Sequence, residues 1–562
     1  MRRCKGCNAG PWLLAGLLLC SAAAFAAPDY RQQSFELPAD TEALVVADVN
    51  ADGFRDLITV IDNRLRVYFH HSGGDDPGSD DSGFNFESSF VDIPLQSPAV
   101  GWDISSGYST DGSAVIITLL NGREARAWPI IAQQLQEPVT LAANLPGFLM
   151  RGVNRLRFSQ DVNGDGLEDL VVPGAGVLHI LIRSSNGDYQ APLSVQSEMQ
   201  LRTSLSNNRF NRSAGQAVRI PRLELRDVNS DGSNDLISRT DESLNVFLAN
   251  SGSNYFPSVP SYSLDIAEIE ERLGEFDVDN LDFSNLTGVL ALTHEEILDD
   301  VDNDGIEDLL LREGGKVSLF GGTASGMDLE QPRQVLRSGG NVLSTFLYDE
   351  NDDGLKDLWL WRVESISVGD LFVWLALSGN IAIEAFVYPN DGERFARRPT
   401  RRVTVNLRFP SVVRLATAYQ DLNSAADGLR AGDIPPHRPA SLDGDAEIQD
   451  LLVLMEDRVD VFLDSVRPDA DQDNFLGSLG YSRDRDDYEI DIREIIDNVD
   501  VSGTAQLTAV QDRAPDQQIN LDSSLSTGDI IAARLNSDSV DDLFVFQDFD
   551  GSAIRGLLLL SK

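Results

Sequence analysis

The chain has 562 residues, with 45 Lys+Arg against 90 Asp+Glu and a formal net charge of −45. A surplus of that size and sign disfavours nucleic acid and anionic lipid as partners. All three cysteines (Cys4, Cys7, Cys20) fall in the first 26 residues, so the rest of the chain can form no disulfide.

Residues 1–26 read as a secretory signal peptide. Arg2, Arg3 and Lys5 form a basic start, Trp12 to Ala24 an apolar stretch, and Ala24-Phe25-Ala26 a small-x-small cleavage site. The mature chain, 27–562, is therefore expected to be exported, to the periplasm, the outer cell surface or the medium. Without cysteine, a metal rather than sulfur would be its staple. No further segment reads as a membrane span; Leu371 to Tyr388 is apolar but interrupted by Ser378-Gly379-Asn380 and Glu384, and is expected to form two buried strands.

The string Asp-x-Asn/Asp-x-Asp-Gly-x-x-Asp-Leu then recurs five times, each after a short apolar run. Its copies are Asp48-Val-Asn-Ala-Asp-Gly-Phe-Arg-Asp56, Asp161-Val-Asn-Gly-Asp-Gly-Leu-Glu-Asp169, Asp227-Val-Asn-Ser-Asp-Gly-Ser-Asn-Asp235, Asp300-Val-Asp-Asn-Asp-Gly-Ile-Glu-Asp308 and Asp349-Glu-Asn-Asp-Asp-Gly-Leu-Lys-Asp357. Calcium takes six to eight oxygen ligands in a forgiving geometry, and alternate residues of a tight loop can converge on one ion. The expected side-chain ligands at positions 1, 3, 5 and 9 are Asp48, Asn50, Asp52 and Asp56; Asp161, Asn163, Asp165 and Asp169; Asp227, Asn229, Asp231 and Asp235; Asp300, Asp302, Asp304 and Asp308; and Asp349, Asn351, Asp353 and Asp357. The expected carbonyl ligands at position 7 are those of Phe54, Leu167, Ser233, Ile306 and Leu355. Glycine at position 6 suits a sharp turn with positive φ. An EF-hand opens in the same way but closes on a helix. Here Leu and a short apolar run follow each time, so every loop should join two strands. About five calcium ions are expected, and they offset only a small part of the acidity.

Weaker copies lie between the intact ones. Gly107 to Val115 keeps the turn but loses the outer carboxylates. A split copy is expected to open at Asp421-Leu-Asn423 and close at Gln449-Asp450, with Asp443 and Asp445 as candidate completions. Arg534 to Asp542 places Arg534 where the first Asp should stand, a built-in positive charge. Eight loop positions result. The shortest interval, from Asp300 to Asp349, fits four short strands: one before the loop, one after it, Lys316–Phe320 and Arg333–Leu336. That unit suits a propeller blade. After Asp542 only two strands fit, and Gln33–Leu37 is expected to supply the missing one. The fold class expected is all-β: a β-propeller of seven or eight four-stranded blades, the count favouring eight, closed by the N-terminal strand. Insertions are expected near 74–82, 262–290, 424–446 and 464–528, with helical spacing at Ile266–Leu273 and Ile490–Ile496.

These loops, each followed by Leu and a strand, resemble the FG-GAP/VCBS repeat of the integrin α-subunit propeller and of many bacterial exported proteins. Val387 to Phe395 and Val246 to Tyr255 resemble its outer-strand hairpin. The resemblance implies calcium in the loops, usually seven blades, and recognition through a propeller face and its insertions. The expected function is a calcium-binding interaction or adhesion module, with an extracellular protein or polysaccharide as partner. The alternatives are a carbohydrate-active enzyme (polysaccharide lyase or hydrolase) on the same scaffold, and a structural component of a surface assembly. No catalytic constellation stands out. His294-Glu-Glu lacks the second His of a zinc-protease helix, His70 and His71 should point one in and one out, and His179 reads as a core residue. The sequence does not set the oligomeric state.

Overall fold

The computed structural model describes residues 29–561 except 72–82, 109–112, 198–199, 204–215, 251–253, 278–280, most of 412–434, 444–447, 467–480, 492–503, 522–524, 526–527, 537 and 550. Residues 1–26, expected to be a signal peptide, the polar loop 74–82, and Asp421, Asn423 and Asp445 lie outside the described residues. The described residues form an all-β fold with short helical insertions. Among the described residues, eight sheets have four or five strands, and four further pairs have two. No helix among them is long and apolar enough to cross a membrane.

The first sheet shows the plan. Glu42–Ala47, Asp56–Ile61, Arg64–Tyr68 and Phe90–Pro94 pair antiparallel in chain order. The third to fifth sheets repeat it, and the fifth comprises His294–Asp299, Asp308–Glu313, Lys316–Phe320 and Gln334–Arg337. The second strand is the most apolar because both of its faces are covered: every residue of Asp56–Ile61, Val115–Leu120 and Asp308–Glu313 is buried. Mixed apolar clusters bridge successive sheets. Leu309 and Leu311 of the fifth pack with Leu244 and Val246 of the fourth, and Val342 and Leu358 of the sixth pack with Leu310 and Val317 of the fifth.

Two sheets carry a fifth strand laid parallel on an edge. Gly152–Arg155 joins Ala99–Ser105, and Asp487–Asp491 joins Arg401–Phe409. The second of these corrects the helix expected over Ile490–Ile496. Ile490 lies in a strand, where Tyr488 is buried and Ile490 packs beside it against the sixth-sheet core, a period of two rather than 3.6; residues 492–496 lie outside the described residues. The other expected helix is present as Ile266–Leu273, with the Asp265 carboxylate accepting the Glu268 N–H.

The last sheet joins the two ends of the described residues. Asp529–Ala533, Asp542–Phe549 and Ala553–Ser561 pair in order, and Tyr30–Pro38 pairs antiparallel with Ala553–Ser561 from Tyr30↔Ser561 to Pro38↔Ala553. Phe35, Leu37, Leu535, Phe544 and Ile554 then share a cluster with Leu57 and Tyr68 of the first sheet.

The stretch Leu371 to Tyr388 is not two strands. Val368–Ala376 is a helix and only Gly379–Tyr388 is a strand. A capping box starts the helix: Ser367 Oγ accepts the Asp370 N–H, and the Asp370 carboxylate accepts the Ser367 N–H. An apolar run alone does not separate helix from strand, and here the local start signal decides.

Candidate metal centres

Each intact loop links the first strand of its sheet to the second, and one hydrogen-bond plan recurs in all five. The position-1 carboxylate accepts the N–H of the position-6 glycine: Asp48 from Gly53 at 3.0 Å, Asp161 from Gly166 at 2.9 Å, Asp227 from Gly232 at 2.7 Å, Asp300 from Gly305 and Asp349 from Gly354 at 2.9 Å. The position-5 carboxylate accepts the N–H of position 7, as Asp304 does from Ile306 at 2.9 Å. Those glycines lie at φ from 82° to 87°. The space around Gly53, Gly166, Gly232 and Gly354 is open, so the conformation and not crowding calls for glycine there.

Position 9 has a role the sequence did not disclose. Asp56, Asp169, Asp235, Asp308 and Asp357 are almost wholly buried. One oxygen accepts the N–H of position 2, and the other accepts an N–H just beyond the third strand. For Asp235 the donors are Val228 and Ala249, at 2.9 and 2.7 Å; for Asp308 they are Val301 and Gly322, at 3.3 and 2.8 Å. The closing Asp is thus a clamp inside its own sheet as well as a candidate ligand. No side-chain pattern could have revealed the second donor, because it is backbone. Burial pushes these carboxyls up, helped by neighbouring loop carboxylates, to about 7 for Asp56 and about 6 for Asp169 and Asp308.

The clamp persists where the opening Asp is missing. Asp542 accepts from Leu535 and Ser561, both at 2.8 Å. Arg534 pairs with Asp541 at 3.3 Å, so its charge meets position 8 and not a ligand position. In the seventh sheet Asp450 accepts from Leu442 at 2.8 Å and Asp464 at 3.0 Å. This corrects the split copy. The strand His437–Ala440 runs directly into Ser441-Leu442-Asp443 and pairs with Gln449–Leu454. The copy therefore opens at Ser441 in the described residues, and its closing Asp450 stands nine positions on, one more than in its sisters.

Two groups of three carboxylates among the described residues could hold a cation: Asp300, Asp302 and Asp304, and Asp443, Asp450 and Asp464, with one oxygen of each within 4.8 Å of the others. The other four intact loops carry Asn at position 3 and do not assemble three carboxylates this closely. In the fourth loop Arg333 meets Asp302 at 2.6 Å and Asp308 at 3.4 Å. That guanidinium answers the extra charge of Asp302, the one Asp among the five position-3 residues. Asp302 Oδ1 is nonetheless buried without a hydrogen-bond partner. A buried, unanswered oxygen beside two further carboxylates suits a hard cation with an all-oxygen shell.

The loops touch one another from sheet to sheet. The Arg55 N–H donates to Leu535 O and the Ala114 N–H to Asp48 O, both at 2.8 Å, the Glu307 N–H donates to Val228 O at 2.9 Å, and Asn390 Nδ2 donates to Val301 O at 2.6 Å. All these loops therefore lie at one end of their sheets. Three histidines make packing or hydroxyl contacts: His70 is buried against Phe84 at 4.8 Å between ring centroids, His71 meets Ser89 Oγ at 2.6 Å, and His179 meets Ser194 Oγ at 2.8 Å.

No protein-family model and no curated protein matches the chain. Among solved structures, it is similar to a lectin of Agrocybe aegerita that recognises non-reducing terminal N-acetylglucosamine (15% identity, 66% of this chain and 80% of that one, TM-score 0.24). It is also similar to BBS1N in complex with ARL6DN (7% identity, 95% and 98%, TM-score 0.22) and to the Photorhabdus luminescens Tc holotoxin pore (12% identity, 82% and 21%, TM-score 0.20). Superpositions this loose transfer neither fold nor function.

Proposed function

We propose that the mature chain is an exported, calcium-binding β-propeller of eight blades that serves as a protein- or glycan-interaction module. The observation that carries the metal reading is the fourth loop, where three carboxylates converge and Asp302 Oδ1 is buried with no partner. A bound calcium would supply the positive charge that those oxygens lack. The chain's own part is to hold Asp300 and Asp304 in place through Gly305 and Ile306, and to clamp Asp308 into the sheet. Eight four- or five-stranded sheets, the pairing of Tyr30–Pro38 with Ala553–Ser561, and the bond from Arg55 to Leu535 support a closed ring.

Calorimetric titration of the chelator-stripped chain tests the metal. Calcium uptake at about five sites is expected, with a lower melting temperature in chelator, because a ligand bound only by the native state stabilises by mass action. Identical melting curves with and without calcium would refute it. Arrays of glycans and envelope proteins test the interaction module, and cell fractionation tests export.

A further inference from the structure

The end of the molecule opposite the Asp loops bears a built apolar platform. Two insertions from different sheets form it. One is the segment 281–293, which leads into the fifth sheet. The other is 364–378, which links Asp357–Val363 to Gly379–Tyr388 in the sixth. His294–Asp299 runs from the first segment to the Asp300 loop, and Asp357–Val363 runs from the Asp349 loop to the second, so both segments lie at the far end. Backbone hydrogen bonds zip them together: Leu286 N–H to Ile366 O at 2.7 Å and Val368 N–H to Phe283 O at 3.0 Å, with Thr287 Oγ1 donating to Glu364 O at 2.9 Å. Trp374 anchors the helix edge-on against Phe409 at 4.9 Å between ring centroids. Gly379 makes room for that contact, since a Cβ there would meet both rings.

Their outward side chains are apolar. Phe372 is 69% exposed, Phe283 63%, Leu377 62%, and Leu371, Leu375 and Val289 are exposed as well. Single exposed apolar residues are ordinary, but six on two mutually bonded segments are a concentration of the kind found at binding surfaces. The same two segments contain no Lys or Arg, and they carry the exposed carboxylates Asp282, Glu364 and Asp370. The Ser284 hydroxyl beside Asp282 and the Ser367 hydroxyl beside Asp370 hold both carboxyls below the usual range, so the rim stays negative.

We infer that this platform docks an amphipathic segment of another protein whose apolar side chains are flanked by Lys or Arg. Apolar contact supplies the burial, and the carboxylate rim selects the basic flanks. A second copy would bring the same acidic rim on a chain of net charge −45, and an anionic membrane would meet the same repulsion. The inference rests on the interaction-module reading and names its surface and partner class; it does not depend on the cation loops.

The test uses the full mature chain in calcium and a fluorescent synthetic peptide of Leu and Lys at helical spacing. Controls are the same peptide with Glu for Lys, a scrambled Leu/Lys peptide, vesicles of phosphatidylcholine with and without phosphatidylglycerol, and sedimentation velocity of the chain alone. The amphipathic basic peptide should bind, and Phe372→Ser/Leu375→Ser should weaken it at least about tenfold, equivalent to about 1.4 kcal/mol. Phe283→Ser, on the other insertion, should weaken it in the same direction; all three positions are exposed, and unchanged melting curves confirm the fold. Binding unchanged in both variants, or equal binding of the scrambled peptide, would overturn the inference. Vesicle binding or dimerisation that disappears in the same variants would also overturn it and assign the platform to lipid or to a second copy. Retention on protein or glycan arrays that survives both variants would remove this inference alone, whereas no retention of the wild type would remove the wider reading.

Discussion

Among single residues, the Asp of the repeated loop does two jobs that sequence spacing cannot separate. Positions 1 and 5 fold the loop, while position 9 ties it to the sheet. Substitution should distinguish them. Asp542→Ala, in a loop whose first position is Arg534, leaves the buried Leu535 N–H and the half-buried Ser561 N–H without an acceptor. It should cost about 2–4 kcal/mol in denaturant unfolding whether or not calcium is present. Asp304→Ala should instead remove one calcium equivalent in titration and leave the chelator-treated melting curve nearly unchanged. A second residue-scale prediction concerns Asp103, which is buried in Ala99–Ser105 with its carboxyl pushed up to about 6, mainly by burial. A folded-state pKa above the unfolded one means that its stabilising contribution is complete at low pH and is lost as pH rises from about 4 through about 6. Asp103→Asn should flatten stability over that interval, by about 3 kcal/mol at most, and should melt higher than wild type at pH 8.

Elements were legible to the extent that their signals were local. The second strands read as apolar runs behind an Asp-Leu step, and they lie where expected: Asp56–Ile61 and Asp308–Glu313 each begin at the closing Asp, and Lys316–Phe320 is a strand with the expected bounds. Ile266–Leu273 was visible from its 3.6-residue spacing. Val368–Ala376 was not, because Leu371, Phe372, Val373 and Leu375 give no polar face and therefore no period to read. The loop at Ser441 was missed for a different reason: one inserted residue and a Ser in place of Asp broke the spacing, although Asp450 kept the clamp. At the candidate sites, the repeated loops and their turn glycines were readable. Arg333 was not, since it comes from outside the loop, 31 residues beyond Asp302.

For the molecule as a whole, the pairing of the first strand with the last sets stability over the longest sequence separation available. Removing residues 29–38 exposes the edge of Ala553–Ser561 and strips Phe35 and Leu37 from their cluster. The truncated chain should melt well below wild type, and a synthetic peptide of residues 29–38 added in trans should restore part of the loss. If truncation leaves the melting temperature unchanged, the pairing contributes nothing to stability.

The same pairing also orients the molecule. Tyr30 lies opposite Ser561 in register, Tyr30 Oη donates to Asp541 O at 2.9 Å, and the Ser561 N–H reaches Asp542. Both ends of the fold therefore leave from one corner, on the side of the Asp loops. A tether attached at either end would hold the molecule by that side and point Phe283 and Phe372 away from the anchor. A pull through those ends would peel the strand pair open one rung at a time instead of shearing it, so the molecule would present its far surface firmly yet release under modest load.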